Sequence, residues 1–150
     1  MIAIYQLHDH SICYRDLKPE NVMLEEHGDI NSVKLIDFNT AKYVSNHGSQ
    51  ITRVMTKVGT KTYQDPIISE NEDYNGFQAD IWSAGILLYY LVTGINEPRY
   101  GVEFDHVSPV CADLITKLLN PKPEMRPEAF EVLEHPFTDT KDQDYAHYLI

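Results

Sequence analysis

The sequence has few cysteines and no long apolar run, and both features limit what the protein can be. Only two cysteines, Cys13 and Cys111, occur among the 150 residues, and they form neither a CxxC motif nor a disulfide framework. This usage is typical of a reducing compartment, so we expect an intracellular, cytoplasmic protein. The most apolar stretch, residues 81–92, is interrupted by Ser83 and Gly85 and falls short of the ~18 apolar residues of a membrane span.

Basic residues are also scarce. Lys and Arg number 12 against 23 Asp and Glu, which gives a formal net charge of −11. A protein that binds a nucleic-acid backbone or an anionic membrane needs clustered Lys and Arg. The composition therefore predicts no nucleic-acid partner and no membrane partner. The first ten residues, MIAIYQLHDH, hold no Lys or Arg, which argues against a secretory signal.

The length and the apolar share of 43% predict one domain with a core of its own. Residues 21–38 contain two β-rich segments around a polar linker, which predicts a small hairpin. Residues 39–64 are polar and predict a long loop, and loops of this length are usually functional. Apolar spacing, a cap at Ser108 and a terminator at Gly94 predict helices. Their ranges are 1–8, which reads as the end of a helix, 77–92, 109–119 and 127–135.

Several motifs occur in a fixed order along the chain. Residues 14–21 read YRDLKPEN, and residues 35–39 read LIDFN after the predicted hairpin. The first motif resembles the catalytic loop of protein kinases, and the second resembles their DFG motif. Residues 59–66 (GTKTYQDP), 80–85 (DIWSAG) and 126–137, which begin with Arg-Pro and end with HPF, resemble later kinase motifs.

The resemblance covers residues 2–138 and is to the larger, C-terminal lobe of a serine/threonine protein kinase. It implies a mainly α fold with a small β hairpin over residues 1–138, followed by a C-terminal tail over residues 139–150. It also implies ATP and Mg²⁺ as cofactors and a protein substrate. Lys18, together with the Gly59-Thr60 pair, indicates serine or threonine as the acceptor rather than tyrosine.

The same resemblance assigns roles to the polar residues of these motifs. Asp16 would accept the proton of the substrate hydroxyl, Lys18 would neutralise the γ-phosphate, and Thr60 would steady both. The residues that would contact the nucleotide are Lys18, Glu20, Asn21 and Asp37. Asn21 and Asp37 would supply the oxygen ligands to Mg²⁺, which is a hard cation.

Two further groups of residues follow from the resemblance. Thr56 stands where many kinases carry an activating phosphate, and Arg15 and Lys42 match the cations that receive it. Ser49 and Thr52 are lesser candidates for this modification. His8 is expected to bind Asp80, which in turn would hold backbone N–H groups of the catalytic loop.

The sequence also departs from the kinase pattern. It contains no GxGxxG loop and no Lys or Arg before Arg15, so we expect the smaller ATP-binding lobe to be missing. Asn39 replaces the glycine of the DFG motif. That position needs backbone freedom, and Asn tolerates a positive φ best after Gly, so the replacement is expected to be compatible with function. Ile67 replaces a glutamate that usually pairs with the arginine at position 126, so Glu70 or Glu124 is expected to pair with Arg126 instead.

The 13 residues between Gly94 and Ser108 also leave little room for the helix αG that kinases carry there. Two functions therefore stay open. The chain comes either from an active serine/threonine kinase or from a degenerate binding module that holds a partner without catalysis. The retained motif residues favour the first function. The missing lobe, the short segment and Ile67 favour the second, and the oligomeric state is open.

Overall fold

A computed structural model describes residues 1–29, 32–44, 46–47, 50–51, 53–70, 73–95, 104 and 106–138, with the backbone alone at 46–47 and 50–51. Its α-helices are α1 (Ile2–Asp9), α2 (Ile67–Glu70), α3 (Gly76–Thr93), α4 (Pro109–Leu118) and α5 (Ala129–Leu133). Short 3₁₀ helices span Pro19–Asn21, Lys61–Tyr63 and Pro123–Met125. The predicted tail, residues 139–150, lies outside the described residues. So does most of the segment between Gly94 and Ser108.

Six short strands form three antiparallel pairs in the described ranges. The strands are β1 (Ile12–Cys13), β2 (Val22–Leu24), β3 (Val33–Leu35), β4 (Lys42–Tyr43), β5 (Asn46–His47) and β6 (Gln50–Ile51). The pair β2–β3, with Met23 opposite Lys34, is the predicted hairpin. The pairs β1–β4 and β5–β6 were not predicted, because strands of two residues are too short for an alternating pattern. The mainly helical architecture agrees with the expected fold class.

Helix α3 is the longest helix described and contributes to the main core. The Asn75 side chain accepts hydrogen bonds from the backbone N–H of Phe77 and Gln78, which caps the start of the helix. Gly94 ends it with a left-handed φ of 72°. The predicted helix over residues 77–92 and its terminator are therefore confirmed.

A glycine allows α3 and α4 to pack closely. A Cβ atom on Gly85 would lie 2.8 Å from the Cβ of Leu118 and 2.7 Å from the Cδ2 of Leu119. The predicted cap of α4 is confirmed, because the Ser108 hydroxyl accepts a hydrogen bond from the Cys111 backbone N–H at 3.3 Å. The main core joins α1, α3, α4 and α5 to the catalytic-loop residues Tyr14 and Leu17.

Helix α5 is shorter than predicted. It covers Ala129–Leu133 instead of residues 127–135. Glu128 has an extended backbone, with φ −75° and ψ 160°, and its side chain and that of Glu131 cap each other's backbone N–H groups. The cap therefore starts the helix two residues later than the proline indicated. Of the described helices, none is long and apolar enough to cross a membrane.

The acid that pairs with Arg126 is Asp65, so the prediction of Glu70 or Glu124 is wrong. Two guanidinium nitrogens of Arg126 donate to the two carboxylate oxygens of Asp65, and the side chains are 0% and 2% exposed. Arg126 also donates to the carbonyls of Gln78 and Asn120, and its guanidinium carbon lies 4.8 Å from the Trp82 ring centroid. Asp65 serves here because it is already buried in the turn before α2.

Asn39 does not use the positive φ that asparagine tolerates. The positive φ in this motif is at Asp37, with a value of 59°, and the other described non-glycine examples are Ser11 and Arg15. Asn39 lies in a turn, where its backbone N–H donates to the Asp37 carboxylate at 3.2 Å. The backbone strain of the motif therefore lies at Asp37, two residues before the position where kinases have glycine.

Candidate active site

A buried carboxylate holds the backbone of the catalytic loop, residues 14–21. The oxygens of Asp80, which is fully buried, accept the backbone N–H of Tyr14 at 2.8 Å and of Arg15 at 2.7 Å. Nε2 of His8 lies 3.0 Å from the same carboxylate. The structure therefore has the contacts expected of His8 and Asp80. They stabilise the positive φ of 71° at Arg15, which precedes Asp16.

Asp16 is the centre of a hydrogen-bond network. Its Oδ1 accepts hydrogen bonds from the backbone N–H and the hydroxyl of Thr60, each at 2.9 Å. Its Oδ2 lies 2.8 Å from Nζ of Lys18 and accepts from Nδ2 of Asn21 at 3.1 Å. Lys18 also donates to the Thr60 hydroxyl at 2.9 Å. Three of the predicted site residues, Lys18, Asn21 and Thr60, therefore meet at the carboxylate of a fourth, Asp16.

These contacts set the protonation states of Asp16 and Lys18. Burial opposes ionisation of Asp16, but the hydrogen bonds from Lys18 and Thr60 outweigh it and hold the pKa of Asp16 below its ordinary value. The hydrogen bond to Asp16 raises the pKa of Lys18, and the charges of Asp16, Glu20 and Asp37 act in the same direction. Asp16 is therefore a carboxylate and Lys18 an ammonium at neutral pH.

Replacement of Lys18 by methionine is expected to raise the pKa of Asp16, because a hydrogen bond and a positive charge are lost. Carboxyl NMR titration of the protein measures this shift.

The ion pair of Asp16 and Lys18 stabilises the fold between pH 3.8 and pH 10.5. Its contribution falls when Asp16 gains a proton below this range or Lys18 loses one above it. Lys34→Met removes an exposed lysine of the hairpin and is the control. An unchanged Asp16 pKa in Lys18→Met would contradict the assignment.

Gly59 allows the chain to approach the catalytic loop. Its φ is +104°, and a Cβ atom built on it would lie 2.5 Å from the Arg15 carbonyl oxygen. No side chain fits at this distance, so the glycine is required for the close approach. The approach brings Thr60, the next residue, onto the Asp16 carboxylate.

The two residues expected to hold a metal lie beside this network. Nδ2 of Asn21 donates to the Asp16 backbone carbonyl at 2.9 Å as well as to its carboxylate, so the amide oxygen is directed to the other side. Asp37 and Glu20 are close enough to raise the pKa of Lys18. Over the described part of the chain, no three His, Cys, Asp or Glu side chains could hold a metal by themselves. The pair Asn21 and Asp37 fits Mg²⁺, which usually takes one or two protein ligands and completes its shell with water and phosphate oxygens.

A comparison with family models decides the family. The model described as the protein kinase domain matches residues 1–138. This chain belongs to the protein kinase family.

Several proteins that are similar to this kinase chain are also named protein kinases. It is 33% identical to the human serine/threonine-protein kinase DCLK3 over 92% of the chain and 24% of that relative. It is 34% identical to calcium-dependent protein kinase 22 of Oryza sativa subsp. japonica, over 95% of the chain and 27% of the relative. Serine/threonine-protein kinase 17A of Oryctolagus cuniculus is 33% identical over 95% of the chain and 39% of the relative. The kinase chain thus spans 24% to 39% of the length of these relatives.

The predicted regulatory threonine lies against the catalytic loop of the kinase chain. An Arg15 guanidinium nitrogen donates to the Thr56 hydroxyl at 2.7 Å, and its Nε donates to the Thr40 carbonyl at 2.6 Å. The Tyr74 hydroxyl donates to the Thr56 carbonyl at 3.2 Å. Lys42 lies in β4, opposite Cys13. Ser49 and Thr52, the lesser candidates, lie outside the residues whose side chains are described.

Tyr14 has a role that was not predicted from the sequence. Its hydroxyl donates to the Ile36 carbonyl, and its ring meets Phe38 edge-on at 5.4 Å between centroids. Burial raises the pKa of Tyr14 to about 12, and the charges of Asp16 and Asp37 act in the same direction. Tyr14 therefore joins the catalytic loop to the 35–39 motif of the kinase. The sequence signal that could have indicated this role is a tyrosine at a position where most kinases have histidine.

Proposed function

We propose that the chain is the catalytic, C-terminal lobe of a kinase that transfers the γ-phosphate of ATP to serine or threonine of protein substrates with Mg²⁺. In this proposal residues 1–138 form the lobe and residues 139–150 form its tail. The observation that carries the proposal is the meeting of Lys18, Asn21 and Thr60 at the Asp16 carboxylate. Phosphate transfer depends mainly on positioning and charge, and this network supplies both.

In the proposed mechanism Asp16 accepts the proton of the substrate hydroxyl. Thr60 donates two hydrogen bonds to Oδ1, which fixes the carboxylate, while Lys18 keeps it ionised and presents a positive charge toward the transferred phosphate. Asn21 and Asp37 would hold Mg²⁺ by oxygen atoms. The metal would supply neutralisation of the charge on the phosphate oxygens. Glu20, whose charge acts on Lys18, would lie at the same nucleotide.

A radiolabel assay tests the proposal. The longest protein that the gene encodes is incubated with ATP labelled at the γ-phosphate and with a mixed peptide library. We expect label on serine and threonine, loss of transfer with EDTA, and recovery with excess Mg²⁺. Label mainly on tyrosine, or transfer that EDTA does not change, would refute the proposed chemistry.

A second candidate function is a binding module without turnover. Apolar side chains on and beside the hairpin are exposed, including Met23 at 53%, Val33 at 46% and Phe38 at 50%. Exposed apolar groups in one region are typical of a surface that a partner covers. Absence of phosphate transfer in the same assay, together with stable capture of a partner on this surface, would favour the second function.

We also propose that Thr56 is a phosphorylation site that orders the segment around it. A phosphate carries about −1.5 to −2 charges and would accept charge-assisted hydrogen bonds from Arg15, which already donates to the threonine hydroxyl. Lys42 is the second cation assigned to this phosphate.

Phosphopeptide mapping of the active protein is expected to find Thr56 modified. Thr56→Ala is expected to lower phosphate transfer several-fold, because the variant has no hydroxyl to carry the phosphate that Arg15 would bind. Thr116→Ala, which removes an exposed hydroxyl on α4, is the matched control and is expected to keep full activity. An unmodified Thr56 in active protein would overturn the proposal.

A further inference from the structure

A cavity of about 240 Å³ lies between α1, the start of α3 and the start of α5. None of the residues that line it belongs to the catalytic loop. Tyr5 and Phe130 in its wall are 37% and 45% exposed, and Phe77 adds a third aromatic ring. Asp9 and Glu128 are exposed acids of the same wall. The cavity therefore combines aromatic surface with two carboxylates.

The cavity walls carry acidic side chains but no Lys or Arg. Residues 1–14, 73–95 and 127–138, which include all of its walls, contain no Lys and no Arg. Arg126 is next along the chain, but its side chain is fully buried and paired with Asp65. Glu131 adds a further negative charge on α5. A cationic group would therefore meet complementary charge in this cavity.

An anion would fit less well, although two helices begin at the cavity. Helix N-termini attract anions through free backbone N–H groups. At α3 the Asn75 side chain already accepts from the N–H groups of Phe77 and Gln78. At α5 the side chains of Glu128 and Glu131 cap the helix. An anion would find these groups occupied and would lie beside carboxylates.

We propose that this cavity binds the guanidinium group of an arginine from a partner polypeptide. A guanidinium stacks on aromatic rings and donates forked hydrogen bonds to carboxylates, which are the two features of the wall. The chain already holds Arg126 in this way, between the Trp82 ring and Asp65. The volume is below the about 300 Å³ at which sites for drug-sized ligands begin, so it suits a single side chain. The proposal does not depend on kinase activity.

NMR titration of the full chain with the capped peptide Ala-Ala-Arg-Ala-Ala tests the proposal. We expect saturable shifts of the backbone signals of Tyr5, Phe77 and Phe130. The same peptide with neutral citrulline in place of arginine is expected to bind at least tenfold more weakly. Propylguanidine, which carries the same single charge without a peptide, is expected to bind more weakly than the arginine peptide. Inorganic phosphate is expected to give no saturable shift.

Substitutions in the cavity wall test its carboxylates and its aromatic rings separately. Asp9→Asn combined with Glu128→Gln keeps an oxygen for the α5 cap and is expected to weaken binding at least tenfold. Phe130→Leu changes an exposed position and is expected to weaken binding several-fold. Glu26→Gln, on the hairpin loop outside the cavity, is expected to bind as the unchanged protein does.

Four results would overturn the assignment. They are absence of saturable shifts with the arginine peptide, equal binding of the citrulline peptide, saturable binding of phosphate, and unchanged binding by both wall variants. Propylguanidine that binds as tightly as the peptide would also overturn it, and would assign the cavity to a small guanidine instead. Unchanged signals of Tyr14 in each variant show that the fold is intact, so a loss of binding reports the cavity.

Discussion

Replacement of Asp16 by asparagine is expected to lower the rate of phosphate transfer by about 10²–10⁴-fold, the range that a positioned general base contributes. The amide cannot accept the proton of the substrate hydroxyl. Its oxygen can still accept from Thr60, but its nitrogen would face Lys18 and Asn21, which are both donors. The variant therefore loses the base and also weakens the network around it.

Rates of transfer by the wild-type and Asp16→Asn proteins, measured with saturating ATP, Mg²⁺ and peptide, check this expectation. Glu26→Gln removes one exposed carboxylate from the hairpin loop and is the control for a change of charge alone. Titration with a fluorescent ATP analogue separates binding from transfer, and we expect the nucleotide affinity to change less than the rate. Equal rates in the wild-type and Asp16→Asn proteins would exclude Asp16 as the base.

Asp65→Asn is expected to lower the free energy of unfolding by about 3–5 kcal/mol, because it leaves the buried guanidinium of Arg126 without a counter-charge. Both side chains of the pair are almost fully buried, at 0% and 2% exposure, so water cannot take the place of the carboxylate. The isosteric amide keeps the volume of the side chain. The loss therefore measures charge and hydrogen bonding rather than a cavity.

Urea unfolding followed by circular dichroism measures this loss. Glu70→Gln and Glu124→Gln neutralise the two exposed acids that the sequence indicated as partners, and each is expected to change stability by less than about 0.5 kcal/mol. The double variant Asp65→Asn with Arg126→Met is expected to lose less than the sum of its single changes, because no unpaired charge stays buried. Additive losses, or a larger loss in Glu70→Gln than in Asp65→Asn, would show that the pair is assigned wrongly.

Helices and strands whose sequence signals lie within a few neighbouring residues were predicted well. Helix α3 combines a mostly apolar stretch with a terminator at Gly94, and both signals act within a few residues; its cap at Asn75 was not predicted. The hairpin β2–β3 also depends on neighbours in the chain. The pair β1–β4 was missed, since Cys13 and Lys42 are far apart in sequence and each strand has only two residues. Its stability comes from the surrounding core.

The site shows the same division. The motif around Asp16 indicated which residue types would meet, and the structure brings Lys18, Asn21 and Thr60 to it. The backbone strain could not be assigned from residue type, because the motif has it at Asp37 rather than at Asn39. Positive φ depends on how the chain is held on both sides, and Tyr14 holds this segment through the Ile36 carbonyl.

By itself the amino-acid sequence determined the order and spacing of the polar motifs, and with them the family, because these are properties of neighbouring residues. Only the tertiary structure decided that Asp65 neutralises Arg126, and that Tyr5, Asp9 and Phe130 share one cavity. Arg126 lies 61 positions after Asp65, so their contact depends on how α2, α3 and the segment before α5 pack. Burial decides which acid pairs with Arg126. An unpaired guanidinium inside the core costs several kcal/mol, and an exposed glutamate cannot neutralise it there.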